Sequence, residues 1–373
     1  MSALGPTGGA GYTLLVSLVP AADDLVDAIQ QIDVECTLDQ ASVLSIRLGT
    51  EATQIGDWTI LELDPFRPLT PLQLRLQAGT GAPEALVNGF VTEHKVTYSE
   101  AGGSTLEITA MDATYSMNLE EKVTSWPNLP DSAIAVAIFG QHALVPQVDP
   151  TSPVLTEPEG TTIQRGTDIR FLRRLAQRNG FDCYVQPEPL SGLDFGHFHA
   201  RQLTGPPQAV LSVELGEETN VSDFSVRYEL ARATSVTASG LDVLTKSPQP
   251  ALAPAALEQP LGIEGTLMRQ LPPPSIRPAD TGLPRTAELQ RAAQAIVDRS
   301  TWSVFAEGTV GLDVPVLRPG GLVAIRGAGR LYNGNYFLTR VHHTIRPDGV
   351  EQQFEAARNA VTETGTEIYV DVA

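Results

Sequence analysis

The chain has 373 residues, 42% hydrophobic and only 18% charged, enough for sizeable cores in two to four domains and too apolar for wholesale disorder. Its formal charge is −19, and the first 150 positions hold 19 of the 44 acidic residues but only 5 of the 25 basic ones. So acidic a front half argues against nucleic acid as the main ligand, and leaves the charge to serve solubility or to line a surface that repels polyanions and acidic cargo.

The N-terminal text MSALGPTGGAGYTLLVSLVPAADD has no basic stretch, and its apolar run Leu14 to Val19 is only a strand long. Neither a signal peptide nor a membrane-spanning helix is expected, and the protein is expected to mature in a reducing cytosol. From Tyr12 to Arg75, YTLLVSLVP, DVECTLDQASVLSIRL, WTILEL and LQLRLQA read as strands divided by Gly, Pro and Asp. ALVNGFVTEHKVTYSEAGGSTLEITAMDA then reads as a hairpin turning at EAGGS. Its alternation puts Phe90, Thr92, His94, Val96 and Tyr98 on one face and Val91, Glu93, Lys95 and Thr97 on the other. Residues 10–112 thus form one antiparallel barrel or sandwich.

The period then lengthens. DSAIAVAIFGQHAL is expected to be a helix with Asp131 as N-cap. TDIRFLRRLAQRNGFDCYV is a second helix, capped by Thr167 and stopped by Gly180, running into a strand. Ile169, Leu172, Leu175 and Ala176 make its apolar stripe, and Arg170, Arg173, Arg174 and Arg178 occupy the remainder. LDFGHFHARQL and the text from Ala209 to Asp242 return to strands. Ser247 to Pro284 carries nine prolines and is expected to be a structure-poor arm or surface loop. A helix over TAELQRAAQAIVDRSTW follows, then four strands punctuated by RPGG, YNGN and RPDG.

The sequence contains no G-x-S-x-G elbow, P-loop or H-E-x-x-H. His197 and His199 share one strand face but have no third or fourth zinc ligand nearby, and His342 and His343 point to opposite faces. The two cysteines, Cys36 and Cys183, are too few for a disulfide framework, and Cys183 alternates with Phe181 and Val185 as a core residue does. Glu120–Glu121 and Glu217–Glu218 read as solvated faces or ion-pair partners.

GTTIQRGTDIRFLRRLAQRNGFDCYV resembles the signature of the phage late control D proteins and of the hub part of VgrG spike proteins. Gln164, Asp168, Phe171, Leu172, Arg174, Leu175, Ala176, Gly180 and Tyr184 match as they stand, and Gly89, Val91, Thr92 and Asp112 match a preceding hairpin that ends in an aspartate. VEQQFEAARN looks like the family's closing strand. The resemblance covers residues 10–245 and 300–360.

It implies a mainly β fold with an α+β middle: a first tube-like antiparallel β-barrel domain (1–112), a small α/β domain carrying the motif (113–210), and a second tube-like barrel domain (211–373) with the insertion at 247–284 and a helix at 286–302. It implies a structural baseplate hub of a contractile tail or injection machine, not an enzyme and without cofactors. Such hubs are homotrimers that adapt a sixfold inner tube to a threefold spike and initiate tube assembly. Expected partners are further copies of the chain, the spike, inner tube and baseplate wedge proteins, with no nucleic acid and no membrane insertion. Assembly is expected in the bacterial cytoplasm, within a phage-tail-like particle. The chain ends at Ala373, so the spike is expected to be a separate protein, with the proline-rich insertion clamping it or the wedges.

Asp168, Phe171, Leu172, Gly180, Gly89, Thr92 and Asp112 are the expected structural positions. Arg170, Arg173 and Arg174 are expected to bridge to other subunits or the baseplate, or to form a solvated face. The hairpins at Val91 to Tyr98 and Leu338 to Ile345 are the expected axial contacts. The alternatives are a secreted effector or binding module, and a cell-wall hydrolase carried on a baseplate.

Overall fold

The computed structural model describes residues 3–4, 11–50, 65–79, 81–99, 103–152, 161–229, 234–241, 246–266, 274–276 and 286–369. In the first barrel unit, strands pair antiparallel in the order Gly11–Val16, Pro71–Gln77, Glu84–Thr97, Ser104–Met111, Val43–Thr50, Ile29–Thr37. The period-2 pattern explains the pairing. Ile32 and Val34, Leu44, Ile46 and Leu48, Leu72, Leu74 and Leu76, and Leu106, Ile108 and Ala110 all turn to one buried cluster. Each of the leucines, isoleucines and valines among them contributes about 1.5–3 kcal/mol on burial. The expected strand WTILEL lies outside the described residues.

One register expectation needs correcting. The alternation along Glu84–Thr97 does not run through, because Val91 faces Ala110 and Glu93 faces Thr109, leaving Thr92 as the extra residue of a β-bulge. Val91 is buried ahead of the bulge, and Val96, not Thr97, packs on the core beyond it. A bulge exchanges the two faces, so the strict two-residue reading fails there.

The second unit continues the same sheet. Gly334–Arg346, Gly349–Arg358, Val304–Val310 and Val221–Tyr228 pair in that order, and Leu322–Arg326 pairs with Gly334–Arg346. The units do not close as two independent sheets. Ile29–Thr37 pairs with Gly334–Arg346 from Ile32↔Ile345 to Thr37↔Arg340, so that, among the described residues, one 14-stranded sheet runs through both. Ile345 and Val316 accordingly pack into the first unit's core.

Between them lies the α+β middle. Helices Asp131–Gln141 and Asp168–Asn179 cover a three-stranded sheet of Val145–Val148, Asp194–His199 and Asp182–Pro187. Ile134, Ile138, Phe139, Phe171, Leu172, Leu175 and Phe198 form its core. Gly196 is the position against which the Phe139 ring lies; a Cβ there would come within 2.5 Å of the ring. A two-stranded ribbon, Lys122–Trp126 with Thr162–Gly166, flanks this layer.

The proline-rich insertion is not structure-poor throughout. Pro248–Ala253 pairs with Ser235–Leu241, and Ser275–Ile276 adds a parallel strand. Val236, Ala238, Ala251 and Ala253 pack under Leu289, Ala293 and Val297 of helix Thr286–Ser300. Alternating small residues at 251 and 253 carry a strand through the proline background, since Pro248 and Pro250 can sit on an edge. Residues 267–273 and 277–284 lie outside the described segments.

Candidate functional site

The motif builds a buried polar centre. Asp168, first residue of helix Asp168–Asn179, is 3% exposed. Its carboxylate accepts from Lys122 Nζ at 2.8 Å, His142 Nε2 at 2.9 Å and Gln164 Nε2 at 2.6 Å. Gln164, fully buried, in turn accepts from Trp126 Nε1 at 3.1 Å. Burial pushes the Asp168 carboxyl up, but the bonds from His142, Lys122 and Gln164 outweigh it and hold the pKa below the usual carboxylate value. The bond to Asp168 correspondingly raises Lys122. The centre ties both ribbon strands and the motif helix to the end of helix Asp131–Gln141.

Two capping expectations are corrected by this geometry. Thr167 does occupy the N-cap, but its hydroxyl donates to Asn118 Oδ1 at 2.9 Å instead of closing on the helix. Asp131 is the first helical residue, after Pro130 at the N-cap. Its carboxylate goes to Arg178 and to Asn179 Nδ2, the latter at 2.6 Å, where a charged pair satisfies it better than a lone backbone N–H. Asn179 Oδ1 then accepts from Arg291 Nη1 at 2.9 Å, across to helix Thr286–Ser300. Gly180 ends the motif helix at φ 74°, a left-handed stop that glycine adopts without a Cβ penalty, and lies against Ala295.

The other expected positions are dispersed. Phe171 and Leu172 are core. Arg170 and Arg174 are exposed, with Arg174 donating to Arg165 O. Arg173 is the exception to the expected solvated or bridging row, because its Nε and Nη2 are buried with no acceptor among the described residues. Gly89 lies where two strands approach closely; a Cβ would sit 3.1 Å from Met111 O. Thr92 Oγ1 donates to Thr109 O at the bulge. Asp112 is buried and accepts from Ser42 N at 2.7 Å and Thr114 N at 2.9 Å, stapling two strand ends; burial outweighs those bonds and raises its pKa.

His197 and His199 come together, though not as a metal pair. His199 Nδ1 faces Ala200 O at 2.8 Å and so carries the proton there. That leaves His199 Nε2 to accept from His197 Nδ1 at 3.1 Å. Both His199 nitrogens are thereby used, and burial, with His199 beside it, pushes His197 down to about 3. The pair lines a cavity of about 580 Å³ with Tyr184, Glu188, Gln208 and Arg318. Cys183 is buried and pushed up to about 12 by burial, so it stays a thiol. His343, fully buried, and half-exposed His342 lie on opposite faces, as their adjacency requires.

Asp194 lies beside that cavity, where the middle layer meets the first barrel. Its carboxylate accepts from Asn88 Nδ2 at 2.9 Å, and burial, against that bond, pushes it up to about 6. A folded-state pKa above the unfolded value near 4 means stability present at low pH and lost as pH rises through about 6. Asp194→Asn is therefore expected to stabilise the protein by about 1–2 kcal/mol at pH 7.5 and to change nothing at pH 4. Thermal unfolding at the two pH values checks it; equal shifts at both would refute the assignment.

The shared sheet supplies the second feature. Where the units join, Asp33 accepts from Gln31, His342 at 3.1 Å and Thr344 at 3.0 Å, while Arg340 spans Glu35 at 3.0 Å and Glu355 at 2.6 Å. Arg346 pairs with Glu351. Glu107, held by Lys95, and Glu307, held by Ser225, extend this polar face to either side. It is continuous across both units and rich in acids. Sequence reasoning missed the seam, because pairing between residues some 300 positions apart leaves no local trace.

The model for the Alg8 N-terminal domain matches residues 20–347. No curated protein matches the chain. Among solved structures, the tail protein from Neisseria meningitidis MC58 is similar at TM-score 0.66 and 13% identity, over 94% of this chain and 97% of that one. The 43 kDa tail protein of prophage MuSo2 from Shewanella oneidensis is similar at TM-score 0.67 and 13% identity, over 94% and 99%. An E. coli component of the type VI secretion system is similar at TM-score 0.57 and 13% identity, over 92% and 76%. At these identities the likeness is one of fold.

Proposed function

The chain belongs to the Alg8 N-terminal domain family, and we propose that it is a structural hub of a contractile tail or injection machine. In this reading three copies close into a ring that adapts a sixfold inner tube to a threefold spike. The observation that carries it is the sheet itself: two antiparallel β units are joined edge to edge, with one continuous polar face. Three such chains present six similar walls, which is what a threefold-to-sixfold adaptor requires. The acid-rich face would line the channel, and the spike, tube and wedge proteins would be its partners. Tail proteins that share the fold over nearly their whole length support this reading.

The role is structural. A wall hydrolase using Cys183 would need an accessible thiolate, and burial opposes that. The buried centre at Asp168 serves packing, since its carboxylate is consumed by three donors.

The test is the solution mass of the purified chain, alone and with the spike protein encoded beside it. Three times 39.9 kDa, about 120 kDa, is expected in at least one condition. A monomer in both would overturn the hub.

A further inference from the structure

The ribbon of Lys122–Trp126 and Thr162–Gly166 has its polarity inverted. Its inner face carries Lys122, Thr124, Trp126, Thr162 and Gln164, with Lys122, Trp126 and Gln164 drawn into the Asp168 centre. Its outer face carries Val123, 83% exposed, and Ile163, 50% exposed, beside Ser125 and Arg165. A half-buried ribbon normally turns its β-branched residues inward and its polar residues out. Leu119, 64% exposed, immediately precedes it.

The adjoining helix face is basic. Five of the chain's 25 basic residues fall between 165 and 178, where the one acid, Asp168, is buried and neutralised. Of these, Arg165, Arg170 and Arg174 are exposed. Glu120 and Glu121 stand at the rim, with Glu120 on Lys122 and Glu121 4.0 Å from Arg170. Exposed aliphatics ringed by arginines are the composition of an interface centre, not of a solvated surface.

We propose that this ribbon-and-arginine face docks onto the acidic first barrel unit of a second copy of the chain. The charge of the chain itself selects that occupant. Residues 1–112 hold 15 acids against 4 bases, so a neighbouring copy offers a surface of opposite sign to the arginines. A basic patch on one copy meeting an acidic surface on the next is a heterologous contact, the kind that closes into a ring. The inference rests on the hub reading and names the contact between its subunits.

A photo-crosslinking residue at Val123, in the full chain assembled with its spike, is expected to link to residues 11–112 of another copy. Arg170→Glu/Arg174→Glu is expected to weaken assembly at least about tenfold, with the residual assembly no longer loosened by salt. Cross-links confined to another region or to a different protein would overturn the contact, as would unchanged assembly of the charge-reversed variant. Those results leave the ring intact and count against this contact alone. A wild-type chain that stays monomeric with its spike removes the hub reading as well.

Discussion

Asp168→Ala is expected to destabilise the protein by about 3–5 kcal/mol, the range for breaking a buried ion pair by removing one partner. The substitution deletes a carboxylate that Lys122, His142 and Gln164 all address. Lys122 keeps its charge and, among the described residues, has only exposed Glu120 at 3.6 Å in exchange. Gln164, fully buried, keeps one amide N–H without an acceptor. Asp168→Asn should cost less, because the amide oxygen can still accept while the charge is lost. The pH dependence follows from the direction of the shift. A carboxyl held below its unfolded pKa contributes stability above that value, near 4, and loses it as pH falls through the lower folded value. The gap between wild type and Asp168→Asn should therefore be widest near neutrality and close toward pH 3. Urea unfolding across that range measures it, and a pH-independent gap would show that the charge is not what matters.

The motif helix was legible because every signal for it is local. Its stripe of Ile169, Leu172, Leu175 and Ala176, its threonine before and its glycine after sit within 14 positions, and the structure places helix and left-handed stop there. The destination of Asp168 was not legible. Its partners come from positions 122, 142 and 164, and only Gln164, four residues upstream, lies close enough in sequence to have suggested a bond. Arg173 shows the limit of a helical wheel, which places it among solvated arginines although part of its guanidinium is buried. The Thr92 bulge shows the same limit for strands. One extra residue exchanges both faces, and nothing in VNGFVTEHK marks it. The proline-rich insertion misled for a different reason. Proline counts against a central strand, but Pro248–Ala253 has helix Thr286–Ser300 to pack on and, among the described residues, a single neighbour to pair with.

That insertion is held to the second unit by Arg358, which no local sequence pattern singles out, and Arg358→Met is expected to cost about 3–5 kcal/mol. Arg358 closes the strand Gly349–Arg358 and is fully buried. Among the described residues no carboxylate receives it. Its Nε donates to Leu261 O at 2.7 Å, Nη1 to Asn333 O at 2.6 Å and Nη2 to Thr362 O at 3.1 Å, over the Tyr336 ring. The planar fork thus fastens three chain segments, and methionine, similar in length, would leave the Leu261 and Asn333 carbonyls without this donor and Thr362 O with Ile263 N alone. Lysine should recover little, since one ammonium cannot reach three diverging oxygens in a site shaped for a plane. Space is that tight: a Cβ at Gly262 or at Gly334 would lie 2.7 Å from Arg358 Nη2. Asn359 completes the clasp, accepting from Leu261 N and donating to Gln259 O. Hydrogen exchange separates a local from a global failure. Amides from Glu258 to Gly265 should lose protection in Arg358→Met before the barrel strands do. If they exchange no faster than in wild type, the clasp is not what holds the insertion, and Trp302, whose Nε1 donates to Glu258, becomes the residue to change next.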